Sequence, residues 1–185
     1  EKRTSFEKDS LTTAYRLFNG EGDGIGGLII DRYADYAVFS WYNETLYQKK
    51  AELLTAFRTV YPDIIGAYEK IRFSTKDLPE SQFLYGEQAP EPLLVTENGV
   101  QFATYLNEGL MTGIFLDQKE VRKKLRDQFS ERRHVLNLFS YTGAFSVIAA
   151  ENANSTTSVD LANRSRGLTE ENFGLNGINP KSQYI

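Results

Sequence analysis

The stretch from Val135 to Leu161 constrains this chain most. An apolar run, Val135-Leu136-Asn137-Leu138-Phe139, breaks at Ser140-Tyr141-Thr142-Gly143 and gives way to a small-residue helix pattern beginning Ala144-Phe145-Ser146. A β-rich run, Thr156-Thr157-Ser158-Val159, then ends at Asp160. The order predicts strand, tight turn, helix, strand and carboxylate, the arrangement by which a β-α-β unit holds a nucleoside. The first N–H groups of a helix lack intrahelical partners, so the turn faces a ligand with free donors. Asp160 stands where a ribose-binding carboxylate is expected, and it would equally serve as N-cap of a helix beginning near Ala162. Gly143 is the only glycine of the turn, and the dinucleotide pattern G-x-G-x-x-G is absent. A single glycine suits packing against an adenosine better than wrapping a pyrophosphate, which favours S-adenosyl-L-methionine over a nicotinamide dinucleotide. Asn137, Ser140, Tyr141, Thr142, Gly143 and Asp160 are therefore candidate cofactor contacts.

The rest of the chain supports two parts. A glycine loop runs from Asn19 to Gly27 within a turn-rich start, and strands are expected at Leu28–Ile30 and Tyr36–Tyr42. Thr45 to Val60 carries apolar residues at helical spacing and is stopped by Pro62. A short strand at Ile64–Tyr68 and a polar loop from Ser74 to Pro92 follow. Leu93–Val95 and Val100–Tyr105 flank Glu97-Asn98-Gly99, and Asn-Gly suits a type I′ hairpin turn. These elements predict a central α+β domain over residues 1–106. Past Asn107 the pattern alternates helix and strand, as in an open parallel sheet, over residues 107–185.

Several chemistries are closed by composition. The chain has no cysteine and one histidine, His134, so disulfides, thiolate zinc sites and cysteine nucleophiles are absent from these 185 residues. A net charge of −4 excludes a surface that binds polyanions throughout and leaves local patches. The densest patch is Lys119, Arg122, Lys123, Lys124 and Arg126, with Arg132 and Arg133 beyond; it is either a solvated helix face or an RNA-backbone contact through Lys123, Lys124 and Arg126. Gly20 to Gly27 has no following Lys-Ser/Thr pair, which favours an irregular turn over a phosphate loop. Tyr33, Tyr36, Phe39, Trp41, Tyr42 and Tyr47 read as a core filled across strands rather than as base-stacking rings. Asp117 with Glu120 three residues later predicts a capping box, a role that a ligand contact could share. No apolar run approaches the ~20 residues of a membrane span, and a cytoplasmic protein without membrane partners is expected.

The segments Asn19-Gly-Glu-Gly-Asp-Gly, Gly27-Leu-Ile-Ile-Asp31-Arg32-Tyr33, Thr112-Gly-Ile-Phe-Leu-Asp117-Gln118, Asn137-Leu-Phe-Ser-Tyr141-Thr-Gly143-Ala-Phe145 and Ser158-Val-Asp160 occur in this order. Together they resemble the bacterial large-subunit ribosomal RNA cytosine-5 methyltransferases, a class I S-adenosylmethionine-dependent family. The resemblance implies an α/β chain in which a small α+β domain precedes the first part of a Rossmann-like methyltransferase fold. It further implies that Thr112, Phe115, Asp117 and Gln118 help hold the cofactor, that the turn from Phe139 to Gly143 packs on it, and that Asp160 binds its ribose. The partner it implies is ribosomal RNA. Such families carry an Asp-Pro-Pro motif and catalytic cysteines that these residues do not include, so a fragment unable to transfer methyl groups is expected, with an open sheet edge at Tyr184-Ile185 favouring a homodimer. An RNA-binding or assembly module without catalysis and a nicotinamide-dependent oxidoreductase are the competing readings.

Overall fold

The structure, a computed structural model, describes residues 3–179 and 183–184. Ile185, expected at an open sheet edge, lies outside them. The chain divides into two compact units, one running up to Leu93 and including Tyr105–Thr112, the other comprising Leu94–Thr104 and the chain from Gly113.

In the first unit a short helix α1 (Thr4–Glu7) precedes β1 (Ala14–Asn19), a 3-10 turn (Gly20–Asp23), β2 (Leu28–Tyr33), β3 (Tyr36–Trp41), α2 (Glu44–Tyr47), α3 (Lys50–Val60), β4 (Gly66–Ile71) and β5 (Ser81–Gly86). The strands form one sheet in sequence order, with β3 and β4 parallel and the other pairs antiparallel. The helices α2 and α3 provide the crossover that a parallel pair needs. Every residue of β3 is buried, and Phe39 meets Phe57 of α3 edge-on at 4.9 Å. The aromatic cluster is thus a core, with Tyr42 alone of its members half exposed.

Three expectations change here. The continuous helix over Thr45–Val60 is two helices, because Asn43 caps a separate turn by accepting from the Leu46 N–H at 3.0 Å. The strand β1 lies in a segment read as turns, where the glycines beside it masked its apolar positions. The strand β5 lies in the expected loop; it is half-buried along its length, so it shows no apolar alternation and is held by its backbone ladder to β4.

Strand β4 carries two adjacent charges, Glu69 and Lys70, both buried. Glu69 accepts from Trp41 Nε1 at 3.0 Å, Tyr47 Oη at 3.2 Å, Lys50 Nζ at 3.0 Å and Gln82 Nε2 at 2.6 Å. Four donors compensate its desolvation. Lys70 donates to Ser81 Oγ at 2.8 Å and to the Gly109 carbonyl at 2.6 Å, while Arg72 donates to the Leu110 carbonyl at 2.7 Å. These bonds strap the 105–112 segment to β4.

The second unit holds β6 (Leu93–Glu97), β7 (Val100–Thr104), a 3-10 turn (Leu116–Gln118), α4 (Lys119–Lys124) continuing into a π-helical turn (Leu125–Phe129), β8 (His134–Leu138), α5 (Ala144–Ala150), β9 (Ser155–Val159), α6 (Asn163–Leu175) and β10 (Gln183–Tyr184). Strands β10, β9 and β8 make a parallel sheet in that order. The β6–β7 turn has φ of 51° at Asn98 and 84° at Gly99, the type I′ sign pattern. This hairpin, assigned by sequence to the first domain, packs instead on α6. Asn172 Oδ1 accepts from the Ala103 N–H at 2.9 Å, and the Asn176 amide both accepts from the Gln101 N–H at 2.9 Å and donates to its carbonyl at 2.8 Å. Residues four apart on a helix share a face and residues two apart on a strand share an edge, so two asparagines dock a whole strand. No helix among the described residues is long and apolar enough to cross a membrane.

Burial, and secondarily Arg72, lowers the Lys70 pKa to about 8. Its unfolded value lies near 10.5, so between these the unfolded chain binds more protons and the lysine's contribution to stability rises with pH. Urea melts at pH 7.5 and 9.5 should show Lys70→Met gaining on the parent at the lower pH and losing that advantage at the higher. A difference independent of pH would contradict the assignment.

Candidate functional site

Beyond β8 the backbone enters left-handed space three times in five residues, with φ of 57° at Phe139, 52° at Tyr141 and 73° at Gly143. A non-glycine residue there costs roughly 1 kcal/mol or more, so the turn persists only because other bonds impose it. The Ser140 N–H donates to the Val159 carbonyl at 3.1 Å and the Gly143 N–H to the Ser140 carbonyl at 2.8 Å. Thr142 Oγ1 donates to the Gly113 carbonyl at 2.6 Å, and Asn172 Nδ2 donates to the Thr142 carbonyl at 2.9 Å. The result is a rigid ledge from which Phe139 projects, 90% exposed.

Asp160 closes this ledge. One carboxylate oxygen accepts the Tyr141 N–H at 2.8 Å and the other accepts the Ala162 N–H at 2.9 Å, just before α6. These two backbone donors, Ala162 first, hold its pKa below the ordinary carboxylate range. The side chain is exposed, so the carboxylate keeps acceptor capacity toward solvent even with Ser165 and the Leu161 N–H also near it. The N-cap of α6 is Ala162, with no side-chain cap, so Asp160 is not the N-cap weighed from sequence; it stands two residues earlier and fastens the Ala162 N–H to the ledge.

Gly143 serves a different purpose from the one expected. A Cβ there would stand 2.5 Å from Thr169 Cγ2 and 2.8 Å from Thr169 Oγ1, so the glycine admits α6 rather than a ligand. Asn137 also departs from expectation. It turns away from the ledge, and its Nδ2 donates to Ser146 Oγ at 3.0 Å, which shares a 2.7 Å bond with Ser158 Oγ. That chain is a polar link between sheet and α5, because alternate residues of β8 face opposite sides.

The Gly113–Gln118 segment lies beside the ledge, with the Phe115 ring 5.6 Å from that of Tyr141. Phe115, Asp117 and Gln118 are all exposed. The expected capping box at Asp117 and Glu120 does not form. Leu116–Gln118 is a 3-10 turn, which puts Asp117 inside a helical turn, and neither that turn nor α4 has a side-chain cap. Thr112 belongs to the first unit, where its hydroxyl bonds to Tyr33 Oη at 2.8 Å.

The basic helix is less free than its composition implied. Lys123 pairs with Asp127 at 3.2 Å. Arg126 reaches Asp127 at 2.8 Å, Glu151 at 3.4 Å and the Asn98 carbonyl at 3.2 Å, and the bond to Asp127 is the main cause of its raised pKa. Lys124 is exposed. Arg122, read with that face, is 1% exposed: it donates to both Glu97 oxygens at 2.7 and 2.6 Å and to the Phe115 carbonyl at 2.7 Å. Sequence reasoning missed Arg122 and Asn172 as site-building residues. The only signal for Arg122 was helical spacing, three residues before half-buried Leu125.

Residues 65–181 match the family model described as S-adenosylmethionine-dependent methyltransferase. The chain is 49% identical over 177 residues to YwbD of Bacillus subtilis, provisionally named a ribosomal RNA large subunit methyltransferase, covering 94% of this chain and 45% of that one. It is 32% identical over 191 residues to ribosomal RNA large subunit methyltransferase I of Aeromonas salmonicida, covering 100% and 48%. The solved structure of SMU.776, provisionally named a methyltransferase and complexed with SAH, superposes with a TM-score of 0.94 at 52% identity, covering 99% of this chain and 48% of that one. The chain thus spans about half the length of the curated relatives it matches.

Because Gly143 lies at a φ of 73° and Thr169 fills the space beside it, Gly143→Ala should lower the unfolding free energy by about 1–3 kcal/mol before any ligand is added. Urea denaturation measures this. A variant as stable as the parent would contradict both the strain at Gly143 and its close packing on Thr169.

Proposed function

The chain belongs to the S-adenosylmethionine-dependent methyltransferase family, and from that premise we propose that it supplies the adenosine side of the cofactor site in an enzyme that methylates large-subunit ribosomal RNA. The observation that carries this is Asp160, an exposed carboxylate fixed by two backbone N–H groups at the end of a parallel strand, where a pair of ribose hydroxyls would find its remaining acceptor capacity. The donor set beside it fits an adenosyl group: Phe115 and Phe139 offer exposed apolar rings for the adenine, and Asp117 and Gln118 offer polar contacts. Ser140, Tyr141, Thr142 and Gly143 act through the shape of the ledge, Asn137 through the packing beneath it, and Thr112 through the segment it precedes. Bound there, the cofactor supplies an electrophilic methyl group.

The base methylated, in this reading, is cytosine at C5. No cysteine lies among the 185 residues, so the thiolate that would add to C6 is not one of them. The names of the relatives support ribosomal RNA as substrate and, with it, a cytoplasmic setting. Lys124 and Lys123 are the cations of α4 best placed to meet phosphates, with Arg126 committed largely to its own partners. Self-association, expected from an edge at Tyr184-Ile185, has support in β8, which ends the described sheet and exposes Leu136 and Leu138 on one face; sedimentation velocity would read it.

Calorimetric titration with S-adenosylhomocysteine, NAD and RNA tests the reading: S-adenosylhomocysteine should bind and NAD should not. Asp160→Asn keeps an acceptor for the ledge but loses the charge, and should weaken that binding by roughly tenfold with the fold retained. Unchanged affinity would leave Asp160 a fastening of the ledge alone. Incubated with labelled S-adenosylmethionine and unmodified ribosomal RNA, these 185 residues should label nothing; clear labelling would overturn the thiol mechanism.

A further inference from the structure

We propose that Arg122, with its buried partner Glu97, is a positioning residue that sets the Gly113–Gln118 segment against the ledge and so fixes the affinity of the cofactor site; this rests on the cofactor reading above. Arg122 and Glu97 are 1% and 0% exposed. A guanidinium and a carboxylate withdrawn this far from water gain little net stability over apolar residues of the same volume, so the pair requires another reason to exist. The geometry supplies one. Glu97 takes two of the fork's donors in parallel, through Nε and one terminal nitrogen, at 2.7 and 2.6 Å. That bidentate clamp fixes the guanidinium plane, and the same terminal nitrogen then reaches the Phe115 carbonyl at 2.7 Å. The ring of Phe145, at the start of α5, lies 5.5 Å from the guanidinium carbon.

One side chain therefore joins the end of β6, the helix α4, the candidate segment at Phe115 and the helix that the ledge opens. The carbonyl it holds belongs to the residue whose ring lies against Tyr141 at the centre of the ledge. Phe115 also precedes the 3-10 turn that carries Asp117 and Gln118, and that turn has no side-chain cap of its own. Lysine could preserve the charge but not a planar clamp plus a third aimed donor.

The test uses the whole 185-residue chain and three variants. Arg122→Met with Glu97→Leu removes both charges and the clasp on Phe115 while filling the same volume. Glu97→Asp keeps the charge and leaves Arg122 able to hold Phe115. Arg122→Lys keeps the charge and loses the fork. S-adenosylhomocysteine affinity by calorimetry, thermal midpoint and amide exchange of Ile114–Gln118 are read for each. The expected result is an apolar pair whose midpoint stays within about 5 °C of the parent while affinity falls roughly tenfold or more and the Ile114–Gln118 amides exchange faster. Glu97→Asp should stay within about threefold of the parent, and Arg122→Lys should resemble the apolar pair. Overturning results are an apolar pair that binds as the parent does, one that does not fold, which would make the ion pair a stability element, or equal loss in Glu97→Asp. If the parent itself binds no S-adenosylhomocysteine, the cofactor reading fails, and the exchange rates alone then decide whether Arg122 positions the segment.

Discussion

A backbone that turns left-handed at Phe139, Tyr141 and Gly143 cannot hold itself, and much of the second unit consists of what holds it. Val159 receives an N–H from the ledge, Asp160 receives another, Gly113 takes the Thr142 hydroxyl, and Asn172 takes the Thr142 carbonyl. These partners come from β9, from the segment before the 3-10 turn and from α6. The ledge is therefore the point at which separate elements agree on one geometry, and strain stored there is matched by directional bonds rather than by burial. Such a surface is formed before a ligand arrives, which lowers the ordering cost of binding.

Charged and polar groups do much of the internal fastening in both units. Glu69 gathers four donors, Arg122 and Glu97 satisfy one another, and Asn137, Ser146 and Ser158 form a chain under α5. Groups of this kind restrict which packing arrangement is allowed more than they add stability, since a mispaired alternative would leave a buried charge exposed to no partner. One exception stands beside the ledge: Thr169 Oγ1 is fully buried without a hydrogen-bond partner. Its methyl and hydroxyl fill the space that Gly143 leaves open, so close packing there is kept at the cost of one unsatisfied hydroxyl.

The strand-turn-helix-strand order around Gly143 was legible in the residues because apolar runs, a turn glycine and small helical residues are local signals. The aromatic core of β3 and the Asn98-Gly99 turn were legible for the same reason. The strands β1 and β5 were not, since one lies beside glycines and the other is an edge whose pairing is made by backbone atoms that all residues share. The candidate site shows the same limit. The place of Asp160 after β9 was legible, whereas Asn137 bonds to α5 instead of the ledge, Asp117 fails to cap, and Arg122 looks from composition like one more solvated cation. What separates Arg122 from Lys123 is a carboxylate 25 residues away in another element, and no local pattern records that.

The seam between α6 and β7 has a thermal character unlike that of the first unit's core. Of the residues that α6 buries, Ser165, Thr169, Asn172 and Phe173, only the last is apolar, and the joint to the hairpin is made by the amides of Asn172 and Asn176. Apolar burial weakens on cooling because its driving force near room temperature is entropic, while an amide-to-backbone bond does not share that dependence. Cooling therefore weakens the apolar contribution of Phe39, Trp41 and Phe57 without weakening these amide bonds in the same way, so the docking of the hairpin on α6 keeps its directional part in the cold.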